Sequence, residues 1–291
     1  MRVLFVTAEA YPLAKSGGLA DVSSALPIAL MQQNVDVRLL LPAYPCALNS
    51  LKNARVEATL RLLGEDAVLI AGYLPNSDLP VWLIHAPSLF CRPGGLYQDA
   101  DGADWKDNAR RFALLAHAAK AICDGRLTRW TPDVVHANDW HAGLLPLLLS
   151  TQGRPRPATV FTIHNMAFQG NFPREALSAI DVPDRFFHTS NGIELYGQIS
   201  YLKSAILYSD RITTVSPTYA NEIMTPEFGY GLEGVLRERS EHFTGVLNGI
   251  DDVFWNPAND ENLPAFYRER DIARKRMCKA GPQREFGFDR D

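Results

Sequence analysis

KSGGLADV, residues 15–22, follows the apolar run VLFV (3–6) and opens a stretch with helical spacing. A continuous β-rich apolar run such as residues 2–7, without polar alternation, reads as a strand buried on both faces of a parallel sheet. Leu19, Val22, Leu26, Ala29 and Leu30 then mark one apolar helical face, where Pro27 predicts a kink or a restart. VDVRLLL (35–41) reads as the next strand. Strand, glycine-bearing loop, helix and strand make the opening unit of a doubly wound sheet, whose ligands bind at the carboxyl ends of the strands.

Working outward, residues 56–86 hold short strand-like runs separated by turn residues, which predict antiparallel hairpins packed on the main sheet. Residues 105–122 have helical spacing. Strands at 133–137, 158–163 and 211–216 then alternate with helices at about 141–150, 198–208 and 217–224, the signature of an α/β sheet covered on both faces. Beyond residue 250 the chain is turn-rich and polar, ending in a short charged helical stretch, ARKRMCKAGPQREFGFDRD (273–291). The expected organisation is one α/β domain over residues 1–249, with 250–291 as a connector that stops where another strand is expected.

Composition narrows the function. A chain of 291 residues, 46% hydrophobic and 21% charged, is an ordinary globular protein large enough to bury a core. A net charge of −4, without a basic block, argues against a nucleic-acid surface. Cys46, Cys91, Cys123 and Cys278 form no CxxC pair, so neither a zinc cluster nor a disulfide framework is suggested. The N-terminus enters a strand pattern directly, with no signal-peptide pattern, and no run approaches the ~20 apolar residues of a membrane span. A cytoplasmic location is the expectation.

The candidate chemistry sits at strand ends. In the first loop, Gly17 and Gly18 let a ligand approach the backbone, the N–H groups at the start of the helix should face outward, and Lys15 adds a positive charge. A phosphate or diphosphate suits that loop, and a solvated lysine beside a plain glycine turn is the structural alternative. The loop matches neither G-x-x-x-x-G-K-[ST] nor G-x-G-x-x-G. Asp21 lies in the first helical turn, where it complements the dipole; a functional Asp21 should face sugar hydroxyls, since it would repel a diphosphate. HANDWHAGL (136–144) gathers His136, Asn138, Asp139 and His141 where strand becomes helix. Asp139 there is a helix cap or a partner of sugar hydroxyls, and Trp140 packs beneath a sugar or fills the core. No metal site is expected, because a histidine pair spaced i, i+5 across such a turn need not converge. TIHNMAFQG (162–170) places His164 and Asn165 after a third strand, and LNGIDDVFWNP (247–257) contains Asn248 in a weak Asn-Gly turn signal. No Gly-x-Ser-x-Gly elbow or Cys–His pairing offers a hydrolytic nucleophile.

These segments in this order, together with SYLKSAILYSDRITTVSPTYANEI (200–223) and TPEFGYGLEGVLRER (225–239), resemble bacterial glycogen synthases and the related plant starch synthases over nearly the whole chain. KSGGL is similar to the family's KTGGL, with Ser16 keeping the hydroxyl. The resemblance implies a Rossmann-like, mainly parallel first domain of the glycosyltransferase-B fold. The activity it implies is retaining transfer of glucose from ADP-glucose to the 4-hydroxyl of an α-1,4-glucan such as glycogen, with no cofactor or metal. It also implies that Lys15, Gly17, Gly18 and Asp21 meet the donor, that Asp139 and His164 are catalytic, and that Tyr97, Asn138, Asn165 and Asn248 line the substrate cleft. The cations that hold the leaving diphosphate belong to the family's second domain, so residues 1–291 alone are expected to be inactive. A non-catalytic glucan or nucleotide-sugar binding module is the alternative, and a UDP-glucose transferase would share the fold.

Overall fold

A computed structural model describes residues 1–153 and 155–289. Its strands, in chain order, begin with β1 (Arg2–Val6), β2 (Asp36–Pro42), β3 (Lys52–Leu62), β4 (Glu65–Tyr73), β5 (Pro80–His85) and β6 (Val134–Asn138). They continue with β7 (Ala158–Ile163), β8 (Asn171–Pro173), β9 (Glu194–Leu195), β10 (Gln198–Ser200), β11 (Arg211–Thr214) and β12 (Phe243–Gly245). Nine of them form one sheet in the order β12-β11-β7-β6-β1-β2-β5-β4-β3, and β8, β10 and β9 form a small antiparallel sheet. From β12 to β5 every neighbouring pair is parallel.

The central strands are apolar because both faces are covered. Val3 to Val6 and Leu39 to Leu41 are buried, and burying side chains such as Phe5 or Phe161 contributes about 2–3 kcal/mol each. The helix Asn108–Cys123 supplies Phe112, Leu114 and Leu115, all fully buried. Arg111 is also buried in that helix, with Nε donating to the Leu89 carbonyl at 2.8 Å and Nη1 to Asn108 Oδ1 at 2.7 Å. The guanidinium is tolerated inside because those donors are satisfied.

The hairpin region differs from its expected placement. β3 and β4, and β4 and β5, are antiparallel, but β5 pairs in parallel with β2, so these strands extend the main sheet in its own plane instead of packing on it. β3 ends the sheet; its register against β4 slips between Lys52 and Arg55 and again between Val56 and Ala58, and its first six residues are exposed. Pro27 lies inside one continuous helix, Leu19–Gln32. The helix expected at 198–208 begins only at Tyr201, because Gln198–Ser200 is claimed by pairing with β8 and β9. Ser200 caps that helix, its hydroxyl accepting from the Lys203 N–H at 3.2 Å.

The chain divides into two compact units, Met1–Asn248 and Gly249–Asp291. In the second, Glu269–Arg274 is a 3-10 segment and Lys275–Glu285 a helix, with the Tyr267 N–H donating to the Pro257 carbonyl at 3.0 Å. Residues 290 and 291 of the charged tail lie outside the described residues. No helix among the described residues is long and apolar enough to cross a membrane.

Candidate functional site

β6 and β7 are neighbours in parallel register, Asn138 opposite Thr162, so the segments after them meet at one end of the sheet. Asp139 is where the chain turns from strand to helix. It has a left-handed backbone, φ 53°, which is uncommon for a non-glycine residue and costs on the order of 1–3 kcal/mol. In that conformation it does not cap the helix Asp139–Ala142; its Oδ1 instead accepts the N–H groups of His164 at 2.8 Å and Asn165 at 3.4 Å. Burial pushes the Asp139 carboxyl up to about 7, against those two donors, which favour the ionised form.

The tautomer of His164 follows from its neighbour. Asn138 is fully buried and its amide nitrogen faces the carbonyls of Val6 and His136, both at 3.3 Å. Its Oδ1 therefore faces His164 Nε2 at 3.1 Å, and an acceptor there requires a proton on Nε2. Burial depresses His164 to about 4. The imidazole is thus neutral at pH 7, and Nδ1 carries a lone pair able to accept from a hydroxyl.

An aromatic cluster adjoins these groups. The His141 ring stacks on Tyr97 at 4.5 Å and meets the tilted Trp140 ring at 4.1 Å, with Phe112 edge-on at 4.8 Å. Trp140 is buried and packs over Gly170 (φ 59°), where a Cβ would come within 2.5 Å of the indole. Trp140 is therefore part of the core. Both His141 ring nitrogens are buried without a hydrogen-bond partner, and burial holds its pKa well below the ordinary value.

The first loop is held by a residue that the sequence did not single out. In the loop ahead of the helix, the N–H groups of Ser16 and Gly17 donate to Glu9 Oε2 at 2.6 and 3.0 Å. The other carboxylate oxygen of Glu9 accepts from the Tyr97 hydroxyl at 2.5 Å. Glu9 is only 4% exposed, and a buried carboxylate must find donors. Lys15 Nζ bonds both oxygens of Asp21, at 2.7 and 2.8 Å, so Asp21 faces the lysine. Gly17 and Gly18 remain open to close approach, since a Cβ added at either would meet no atom within 4 Å.

The structure thus brings Asn138, Asp139, His164 and the Asn165 backbone together, and Glu9 ties Lys15's loop to Tyr97. The Asn165 side chain turns to its own loop, accepting from the Ala167 N–H at 3.0 Å. Asn248 is exposed, three residues beyond β12, and makes no hydrogen bond to this cluster. Sequence reading missed Glu9, and also Tyr219, whose hydroxyl accepts the Met166 N–H at 3.0 Å. No group of three or more His, Cys, Asp or Glu able to hold a metal occurs among the described residues.

The family pattern for the starch synthase catalytic domain matches residues 2–238. The chain belongs to the starch synthase catalytic domain family. This starch synthase-type chain is 50% identical to a glycogen synthase of Burkholderia thailandensis over 99% of its own length and 54% of the relative's. It is 49% identical to a glycogen synthase of Paramagnetospirillum magneticum, over 99% of its length and 59% of the relative's. The catalytic domain of starch synthase IV from Arabidopsis thaliana, solved with ADP and acarbose, superposes with a TM-score of 0.84 at 30% identity, covering 99% of this chain and 59% of that one. The mainly parallel sheet is accordingly of the glycosyltransferase-B type. The chain spans a little over half the length of the curated relatives it matches.

The buried imidazoles of this starch synthase-type unit set its acid stability. His117, His136, His141 and His164 all have depressed values, chiefly through burial. Below about pH 6.5 the unfolded chain binds protons that the folded chain does not, so stability falls on acidification, by at most roughly 1.4 kcal/mol per pH unit for each group. Asp139, raised to about 7, opposes this, since its contribution to stability grows as pH falls from 7 toward 4. Four imidazoles outweigh one carboxyl. The melting temperature is expected to drop by on the order of 10 °C between pH 7 and pH 5; a flat profile in calorimetry would mean that these rings are protonated in the fold.

Proposed function

We propose that residues 1–291 form one half of a retaining glucosyltransferase that moves glucose from ADP-glucose to the non-reducing end of an α-1,4-glucan in glycogen synthesis, with the second α/β domain as its partner. The observation that carries this reading is the strained, buried Asp139 holding the His164 backbone at the sheet edge that also bears the KSGGL loop. The likeness to glycogen synthases and to a starch synthase solved with ADP and acarbose supplies the substrate class.

In this reading Lys15, Gly17 and Gly18 receive the diphosphate, for which Lys15 must leave Asp21, freeing that carboxylate for a sugar hydroxyl. The neutral His164 accepts a glucose hydroxyl at Nδ1 while Asn138 fixes its ring. As the glucose–phosphate bond breaks, positive charge grows on the sugar and negative charge on the leaving diphosphate. Asp139, when ionised, offsets the first by field alone, and Lys15 contributes to offsetting the second. Tyr97, Asn165 and Asn248 line the sugar path.

The test is incorporation of labelled glucose into glycogen, with ADP-glucose and UDP-glucose run in parallel, by residues 1–291 and by the complete enzyme. Transfer from ADP-glucose by the complete enzyme alone is the expected result. Turnover by residues 1–291 near a typical enzyme's ~10 s⁻¹ would overturn the assignment of this chain as one wall of the site.

A further inference from the structure

Three turns of this chain share one unusual construction; in one, Leu63–Gly64 between β3 and β4 (φ 49° and 79°), the first residue is a leucine packed against the core, and in the other two it is a tyrosine. In the hairpin joining β9 to β10, Leu195 pairs with Gln198 across the two-residue loop Tyr196–Gly197, and both loop residues have positive φ, 51° and 81°. At Gly229–Leu232 the Leu232 N–H donates to the Gly229 carbonyl at 2.9 Å, and the central pair Tyr230–Gly231 has φ 50° and 84°. A positive-φ pair of this kind favours asparagine, aspartate or glycine at its first position. Here both turns place a tyrosine there, at a backbone cost, and leave it exposed, 82% at Tyr196 and 57% at Tyr230.

The turns are also built against each other and against the site. A Cβ on Gly231 would fall 2.7 Å from the Tyr196 ring, so the second turn's glycine makes room for the first turn's tyrosine. Both turns are anchored from below. The Gly197 N–H donates to Glu194 Oε1 at 2.6 Å, and the Glu194 carbonyl is held by Nζ of the buried Lys203 at 2.6 Å. The Tyr230 carbonyl accepts from the side chain of the buried Gln169 at 3.1 Å. Gln169 follows the exposed Phe168, whose N–H donates to the carbonyl of Asn165, the residue after His164. The three exposed rings are therefore linked, through Gln169 and Gly231, to the loop that follows His164.

We propose that Phe168, Tyr230 and Tyr196 form an aromatic track for the polymer chain, the glucan units behind the reacting end stacking on these rings. The proposal rests on the glucan reading above and assigns it a location. Ring faces carry negative charge density that suits the C–H faces of pyranose units, and a tyrosine fixed at an anchored turn offers a large rigid surface with little rotamer entropy left to lose.

The experiment is native gel electrophoresis of residues 1–291 through gels cast with soluble amylose, alongside thermal melting. Asparagine tolerates the left-handed conformation better than tyrosine, so Tyr196→Asn and Tyr230→Asn should melt no lower than the parent. Each should weaken retardation by about fivefold and the pair by about twenty-fivefold, while Tyr196→Trp retains binding. A role as a docking face for the second domain would show otherwise, as lowered melting of the complete enzyme with unchanged retardation, and would overturn the track. Absence of retardation in the parent, or parental retardation in the double variant, would overturn it as well. Glucose transfer from ADP-glucose to maltotriose by the complete enzyme, scored separately, reports whether the glucosyltransferase reading itself has failed.

Discussion

Asp139→Asn is expected to leave the chain folded, melting no lower than the parent at pH 8, while glucose transfer by the complete enzyme falls by roughly 10² to 10³. Asparagine keeps an oxygen where Oδ1 accepts the His164 and Asn165 N–H groups, tolerates the left-handed backbone, and removes a charge whose burial already disfavours it. A purely structural residue at this position would therefore benefit from the change. If the carboxylate acts on charge developing at the sugar, only the rate suffers, and kcat falls more than the KM for ADP-glucose. Undiminished kcat would remove Asp139 from the chemistry; a melting temperature lowered by several degrees would show that its charge holds the two loops together.

Glu9→Ala should cost about 3 kcal/mol of unfolding free energy, read as a lower urea midpoint at unchanged slope. Three hydrogen bonds end on this carboxylate, from the Ser16 and Gly17 N–H groups and from the Tyr97 hydroxyl. Bonds to a charged acceptor are worth more than neutral ones. Burial holds the Tyr97 hydroxyl well above its ordinary range, so it does not supply a charge of its own to find another partner. Glu9→Gln, which keeps the length and one acceptor, should recover part of the loss. It should also lower the Asp139 value, because Glu9 is a like charge that raises it. An urea midpoint unchanged in Glu9→Ala would show that water replaces the carboxylate in the loop without penalty.

Much of the fold was legible because its signals are local. The apolar runs of β1, β2, β6 and β7 announce strands buried on both faces, and the helix after KSGGL shows its face within fourteen residues. The meeting of Asp139 with His164 was legible at the level of strand ends, since neighbouring parallel strands deliver their loops to one edge. What stayed hidden was decided by partners distant in sequence. Glu9 takes its meaning from Tyr97, 88 residues away, and nothing near position 9 distinguishes it from any acidic loop residue. The hairpin region has the same local pattern whether it lies on the sheet or within it, and only the parallel pairing of β5 with β2 separates the two. Of the two readings open for Asp139, the cap is not the one formed, because the left-handed backbone aims the carboxylate at the N–H groups that follow β7, a choice made by tertiary packing.

The two margins of the main sheet bear on how copies of this protein behave when crowded. A straight row of unpaired N–H and C=O groups is a template on which a second copy can zip. At β3 the slips in register break that row, and Lys52, Arg55, Glu57 and Arg61 stud the strand with charge. At the opposite margin β12 offers three residues, Phe243–Gly245, too short a purchase for a foreign strand. A nine-stranded sheet that would otherwise seed fibrous stacking is closed to its own kind at both borders, by irregularity on one side and by brevity on the other.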